Sequence, residues 1–154
     1  MATFRGNYGS QLDAKGRVNI PAKFRKALSP EAEETFIVVC APEGCLRAYP
    51  KDVWDKFESK LVALPESIKN NWFKETIFSS LTEATLDVQG RIMLAPDLIK
   101  DAGITKEVKL VGNISHIKLW DGAKHEEYLA SGGKGDPTPF AEAFYAVGAE
   151  LGGL

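Results

Sequence analysis

One pattern occurs twice in this chain. Leu12-Asp13-Ala14-Lys15-Gly16-Arg17-Val18-Asn19-Ile20-Pro21 returns as Leu86-Asp87-Val88-Gln89-Gly90-Arg91-Ile92-Met93-Leu94-Ala95-Pro96, with the Leu, Asp, Gly and Arg each 74 residues from their counterparts. Phe4 and Phe78 keep the same interval upstream. Downstream, Ile37, Leu46 and Tyr49 match Val108, Ile117 and Trp120 at an interval of 71, as though three residues had been lost between the blocks. A repeat of this length narrows the possible folds to two copies of one small unit.

Each copy reads as strand, tight turn, strand and a proline-started helix. Gly16 and Gly90 fit a turn position with positive φ, which other residues adopt only at a steric cost. Val18-Asn19-Ile20 and Ile92-Met93-Leu94 alternate as short strands, the first expected to pair as a hairpin with a strand over 4–12. Pro21 and Pro96 suit a first helical turn, where a missing N–H costs little. The Asp before each turn accepts bonds from turn N–H groups, and the Arg after it lies close enough to brace it.

The 154 residues suffice for one good core or two small units sharing one. The chain is 44% hydrophobic and 26% charged, the balance of a globular protein. No apolar run approaches the roughly 20 residues of a membrane span, and the N-terminus lacks the apolar segment of a signal peptide. Two cysteines, Cys40 and Cys45, are too few for a disulfide framework; a cytoplasmic protein with reduced thiols is expected. Net charge is −2, yet residues 1–30 carry Arg5, Lys15, Arg17, Lys23, Arg25 and Lys26 against Asp13 alone, a local +5. Such asymmetry implies one basic face on an acidic body, able to attract phosphate despite the total. Taken alone, it is as well explained by solvated helix surface.

Further along, Thr35 to Cys40 is β-branched and uncharged, a buried strand, and 45–49 returns from a turn at 41–44. Helices are expected over 21–28, 51–64, 66–78, 96–102 and 121–130, with Gly103 capping the fourth. Strands are expected over 81–86, 108–111 and 117–120. Residues 131–139 form a linker, and 140–151 either a short amphipathic helix or a frayed tail. The layout is a first unit over 4–51, a helical connector over 52–79, a second unit over 80–123, and a C-terminal helix and tail over 124–154.

The paired D-x-x-x-R stretches, each with Gly before its Arg and Pro soon after, resemble the MraZ family of bacterial transcriptional regulators and, more broadly, the AbrB-type swapped-hairpin DNA-binding domains. The resemblance runs from Phe4 to about Tyr128. It implies a mainly β fold with helices: a duplicated AbrB/MazE/MraZ-like double-split β-barrel, pseudo-twofold within one chain and capped by helices at its ends. It implies a sequence-specific DNA-binding regulator of its own cell-division and cell-wall operon, a closed homo-oligomeric ring on short direct repeats of double-stranded promoter DNA. Such a protein would be cytoplasmic and associated with the nucleoid, with no membrane part and no cofactor. By position, Asp13, Lys15, Gly16, Arg17, Asp87, Gly90 and Arg91 become the DNA-reading surface. Gln89, in the place of Lys15, can hydrogen-bond without bringing charge, and Arg5, Lys23 and Arg25 are secondary contacts. Ile99 stands where the first copy has Arg25, so the second copy is the less basic and equal contact by both does not follow. A protein-interaction or antitoxin-like module of the same fold is the alternative.

Other chemistry is poorly supported. Two Asp from two homologous halves resemble an aspartic-protease pair, but the cations that follow each Asp hold both carboxylates ionised. Cys40, Cys45, His116 and His125 lack zinc-site spacing. Gly132-Gly133-Lys134-Gly135 lacks the rest of a phosphate-loop pattern. Trp54, Phe57, Trp72 and Phe73 read as core or, in part, as an oligomer interface. No enzyme and no metal site are expected.

Overall fold

A computed structural model describes residues 3–133 and 138–154. The expected linker at 131–139, with its Gly132–Gly135 run, therefore falls partly outside the described residues. The eight strands are β1 (Asn7–Gln11), β2 (Arg17–Asn19), β3 (Thr35–Cys40), β4 (Leu46–Pro50), β5 (Thr82–Thr85), β6 (Arg91–Met93), β7 (Glu107–Gly112) and β8 (Ile117–Asp121). The six α-helices are α1 (Ala22–Ala27), α2 (Lys51–Val62), α3 (Ile68–Ser80), α4 (Pro96–Ala102), α5 (Gly122–Ala130) and α6 (Pro139–Glu150).

Apart from the hairpins β3–β4 and β7–β8, the strands pair across the copies. β2 was expected to form a hairpin with the strand before it; instead it pairs antiparallel with β6 of the other copy, Val18 opposite Ile92. β1 pairs with β7, and β5 with β3. The six-stranded sheet runs β1-β7-β8-β4-β3-β5, with the β2–β6 ribbon apart from it. Exchanging the copies leaves the ribbon register unchanged, and likewise the β4–β8 register, where Arg47 faces Lys118. A pseudo-twofold axis therefore passes through both pairs. The body is a duplicated double-split barrel in which each copy supplies the pairing the other lacks, as exposed sheet edges require.

The registers also correct the alignment of the copies. Phe36 faces Pro50 while Val108 faces Asp121, so Phe36, not Ile37, is the counterpart of Val108. Two residues are lost before β7 and a third between β7 and β8. A slip of one residue turns every side chain to the other face. Phe36 and Val38 accordingly join Val108 and Leu110 in the central core, whereas Ile37 and Val39 face the helices.

The central core gathers Phe4, Val18, Ile20, Phe24, Leu46, Ile92, Leu94, Leu98, Ile117 and Leu119 from both copies. A second core lies between the outer face of β3–β4 and helices α2, α3 and α6, around Tyr49, Trp54, Leu61, Phe73, Ile77, Phe144 and Val147. α2 presents Val53, Trp54, Phe57 and Leu61 at helical spacing. α3 is capped by Ser67, whose hydroxyl accepts the Asn70 N–H at 3.0 Å; it is this cap, two residues beyond Pro65, that places the helix start later than expected. Trp72, read as core, is 45% exposed, because Phe73 and Ile77 take the inward face.

The C-terminal segment is a docked helix. Thr138 caps it by accepting the Ala141 N–H at 3.0 Å, and Pro139 opens its first turn. Phe144 packs edge-on to Phe73 and beneath the Arg47 guanidinium, 4.8 Å from ring centre to Cζ. Arg47 is buried yet ion-paired with Glu43, to which Tyr145 donates its hydroxyl at 3.0 Å. Glu43 also takes Lys118 at 3.3 Å. Burial opposes the Glu43 charge, but Arg47 and Lys118 outweigh it and hold the carboxyl below its ordinary range.

Val18 and Ile92 meet on the axis, so truncating one should weaken both copies. Ile92→Ala is expected to cost about 2–5 kcal/mol, seen as a lower urea midpoint with one cooperative transition.

Candidate nucleic-acid interface

Both turns are built by one set of bonds. The Asp13 carboxylate accepts the Lys15 N–H at 2.9 Å and the Arg17 N–H at 2.8 Å through Oδ1, and Arg17 Nε at 2.7 Å through Oδ2. Asp87 accepts the Gln89 and Arg91 N–H groups and Arg91 Nε, all at 2.9 Å. Gly16 and Gly90 return to the Asp carbonyls at 3.0 Å each, with φ of +83° and +78°. Only Gly adopts such a φ without cost.

Each Arg is thus fastened by Nε alone. Its two terminal nitrogens make no hydrogen bond to protein among the described residues, and the side chains are about a quarter exposed. The turn aims the outer edge of the guanidinium, the part that grips phosphate or a guanine edge. The Arg17 N–H is the main influence holding Asp13 below the usual carboxylate range; burial opposes it, and the Arg17 side chain and Lys15 N–H assist. Asp87 is held down in the same way by Arg91 and Gln89. Both carboxylates are engaged within their own turns and stay ionised.

The turns are cross-linked through the ribbon. The Ile20 N–H donates to the Gly90 carbonyl at 2.9 Å, and the Leu94 N–H to the Gly16 carbonyl at 2.8 Å. Val18 and Ile92 face the core, so alternation turns Arg17, Asn19, Arg91 and Met93 to the outer face. Asn19 and Met93 were not singled out from the sequence, although the buried Val18 and Ile20 on either side of Asn19 were signal enough. Val88 was also missed; it is fully exposed at the second tip, where the first has Ala14.

The remaining candidates scatter. Lys15 and Gln89 are exposed at the tips, and Lys23 is exposed on α1. Arg5 is exposed but lies beyond the end of β1 remote from the first turn, next to the Phe4–Ile114 bridge. Arg25 crosses to the other copy. Its Nε donates to the Ile20 carbonyl at 2.9 Å, and the guanidinium lies on Gly90 so closely that a Cβ there would stand 2.7 Å from Nε. Ile99 occupies the equivalent place on Gly16, its Cδ1 3.4 Å from a Cβ. Arg25 and Gln89 together border an open groove of about 550 Å³, floored by Tyr8, Ser10 and Asn19.

A carboxylate with a lowered pKa stabilises the fold fully above the ordinary value of about 4, and that contribution disappears as pH falls through the lower folded value. The melting temperature of Asp13→Asn or Asp87→Asn should therefore lie below wild type at pH 7 and converge with it in acid, as followed by circular dichroism.

Comparison with known proteins agrees with this geometry. The model of the antitoxin-like MraZ protein family matches residues 3–71 and again 77–139. Proteins of Burkholderia vietnamiensis, Burkholderia multivorans and Burkholderia cenocepacia, each named transcriptional regulator MraZ, are 38% identical to this chain over 133 residues, covering 84% of it and 92% of theirs. With two consecutive matches that together span most of its length, and two identically built D-x-x-x-R turns, this chain belongs to the MraZ family.

Proposed function

We propose that the chain is a sequence-specific DNA-binding transcriptional regulator, working as a homo-oligomer on short direct repeats in the promoter of its own cell-division and cell-wall operon. The observation that carries the reading is the pair of turns, each presenting a guanidinium whose terminal nitrogens have no protein partner among the described residues. Relatives bearing the name transcriptional regulator support it. In this reading Asp13 and Asp87 are positioning groups. Lys15, Gln89, Arg17 and Arg91 touch phosphates and base edges, and Gly16 and Gly90 let the backbone come close. Arg5, Lys23 and Arg25 add flanking charge. No catalytic step is assigned to either carboxylate.

A modest basic patch on an acidic chain needs multivalency. Adjacent subunits of a ring on repeated boxes would supply it through effective concentration. Val62 at the end of α2 and Ile68 and Trp72, four residues apart on α3, are 65%, 95% and 45% exposed, apolar surface suited to a subunit interface. Among the described residues no helix is long and apolar enough to cross a membrane, and the working site is the nucleoid in the cytoplasm. The second reading, a protein-binding antitoxin-like module, is favoured by the description of the matching family; recovery of one stoichiometric protein partner without DNA affinity would select it.

A gel-shift titration on the DNA upstream of its own gene, against a scrambled duplex, tests the first reading. Arg17→Ala should cost about 1–3 kcal/mol of affinity and lower the salt slope by about 1. Equal binding to both duplexes, or none at low salt, rejects it.

A further inference from the structure

The two tips carry unequal charge in sequence. The first has Lys15 beside Arg17; the second has Gln89 beside Arg91, and Val88 in place of Ala14. The fold redistributes this. α1, which follows β2 of the first copy, lies against the second tip, and α4 of the second copy lies against the first. Arg25 is the residue of α1 that makes the crossing: its guanidinium covers Gly90, and it shares one groove with Gln89 and another with Asp87 and Val88. Glu34 borders the second of these grooves, yet no ion pair joins it to Arg25 among the described residues. Nε is held by the Ile20 carbonyl, and the terminal nitrogens have no protein partner among the described residues. Arg25 is exposed.

We propose that Arg25 is the missing cation of the second tip: a side chain of the first copy that completes the polyanion-binding half nominally belonging to the second. This rests on the DNA-binding reading and extends it. Each half then holds the turn arginine plus one further cation, Lys15 on the first and Arg25 on the second. The cations differ in mounting. Lys15 rides on the turn tip as a mobile point charge, whereas Arg25 is clamped at Nε and offers a fixed edge to a phosphate. The second tip is left free to put Val88 and Gln89 against bases, an apolar group suited to a thymine methyl and an amide suited to adenine. The two tips thus each present two cations while differing in what they read. Gly90 is required twice over, for its positive φ and for the bare surface on which Arg25 rests.

The test uses the full-length chain and a duplex carrying its upstream repeats, with affinity measured over a salt series. Arg25→Ile, which copies the residue at 99, should weaken binding about tenfold and lower the salt slope by about 0.9, one phosphate contact. The double variant Arg25→Ile/Gln89→Lys, which gives the second half the charge arrangement of the first, should recover the slope and most of the affinity. A purely structural role for Arg25 predicts no such rescue, and melting temperatures identify any variant that loses the fold; for that case Arg25→Gln alone carries the same expected loss of slope. Unchanged affinity and slope in a folded Arg25 variant, or no rescue by Gln89→Lys, overturns the inference while leaving wild-type DNA binding intact. A wild-type chain that binds no duplex at low salt overturns the functional reading itself, and this inference with it.

Discussion

The structure depends on an exchange of backbone hydrogen bonds across the pseudo-twofold axis. Ile20 donates to Gly90, Leu94 donates to Gly16, and Val18 lies opposite Ile92 between them. A strand of three residues has too little pairing surface to stand alone. By crossing, β2 and β6 each find a partner of the same length and a buried apolar neighbour. The turns at residues 16 and 90 inherit their rigidity from this exchange: each is closed internally by its Asp and anchored externally by the opposite copy. A guanidinium mounted on such a turn has lost much of its freedom before any ligand arrives, which lowers the entropic cost of binding.

Around this axis the copies have diverged by what covers them. The inward faces of β3–β4 and β7–β8 are equivalent and share one core. The outward faces are not. Tyr49 lies under α2, α3 and α6, while its counterpart Trp120 lies in a smaller cluster with Ala41, Cys45 and Tyr128 of α5. The buried Arg47–Glu43 pair marks the difference, since it is roofed by Phe144 and Tyr145 of the last helix. Removing one partner of such a pair would leave the other as an uncompensated buried charge, so the docked helix and the pair depend on each other.

Much of this was legible in the amino-acid order. The duplicated Leu-Asp-x-x-Gly-Arg stretch marked the turns, the two copies and the helices that follow Pro21 and open at Pro96, whereas the pseudo-twofold arrangement was implied by the family resemblance. The β-branched run at Thr35 to Cys40 marked its strand to the residue. The pairing was not legible, because alternation in Val18-Asn19-Ile20 specifies which face is inward and says nothing of which strand lies alongside. The alignment slipped at Ile37 for a related reason: Phe36 to Val39 is apolar and buried on both faces, so no polar residue within it marks its phase. The site divided in the same way. The Asp–Arg clamp follows from residues four apart. The crossing of Arg25 follows only from the path of α1, and in sequence Arg25 stands far from Gly90.

That crossing has a consequence for how such a chain changes over generations. Position 25 is inherited with one half of the duplication and judged by its effect on the other, where it meets a glycine and a glutamine. A substitution in either half therefore acts on its sibling as well, and neither copy can be altered at this point as though it stood alone.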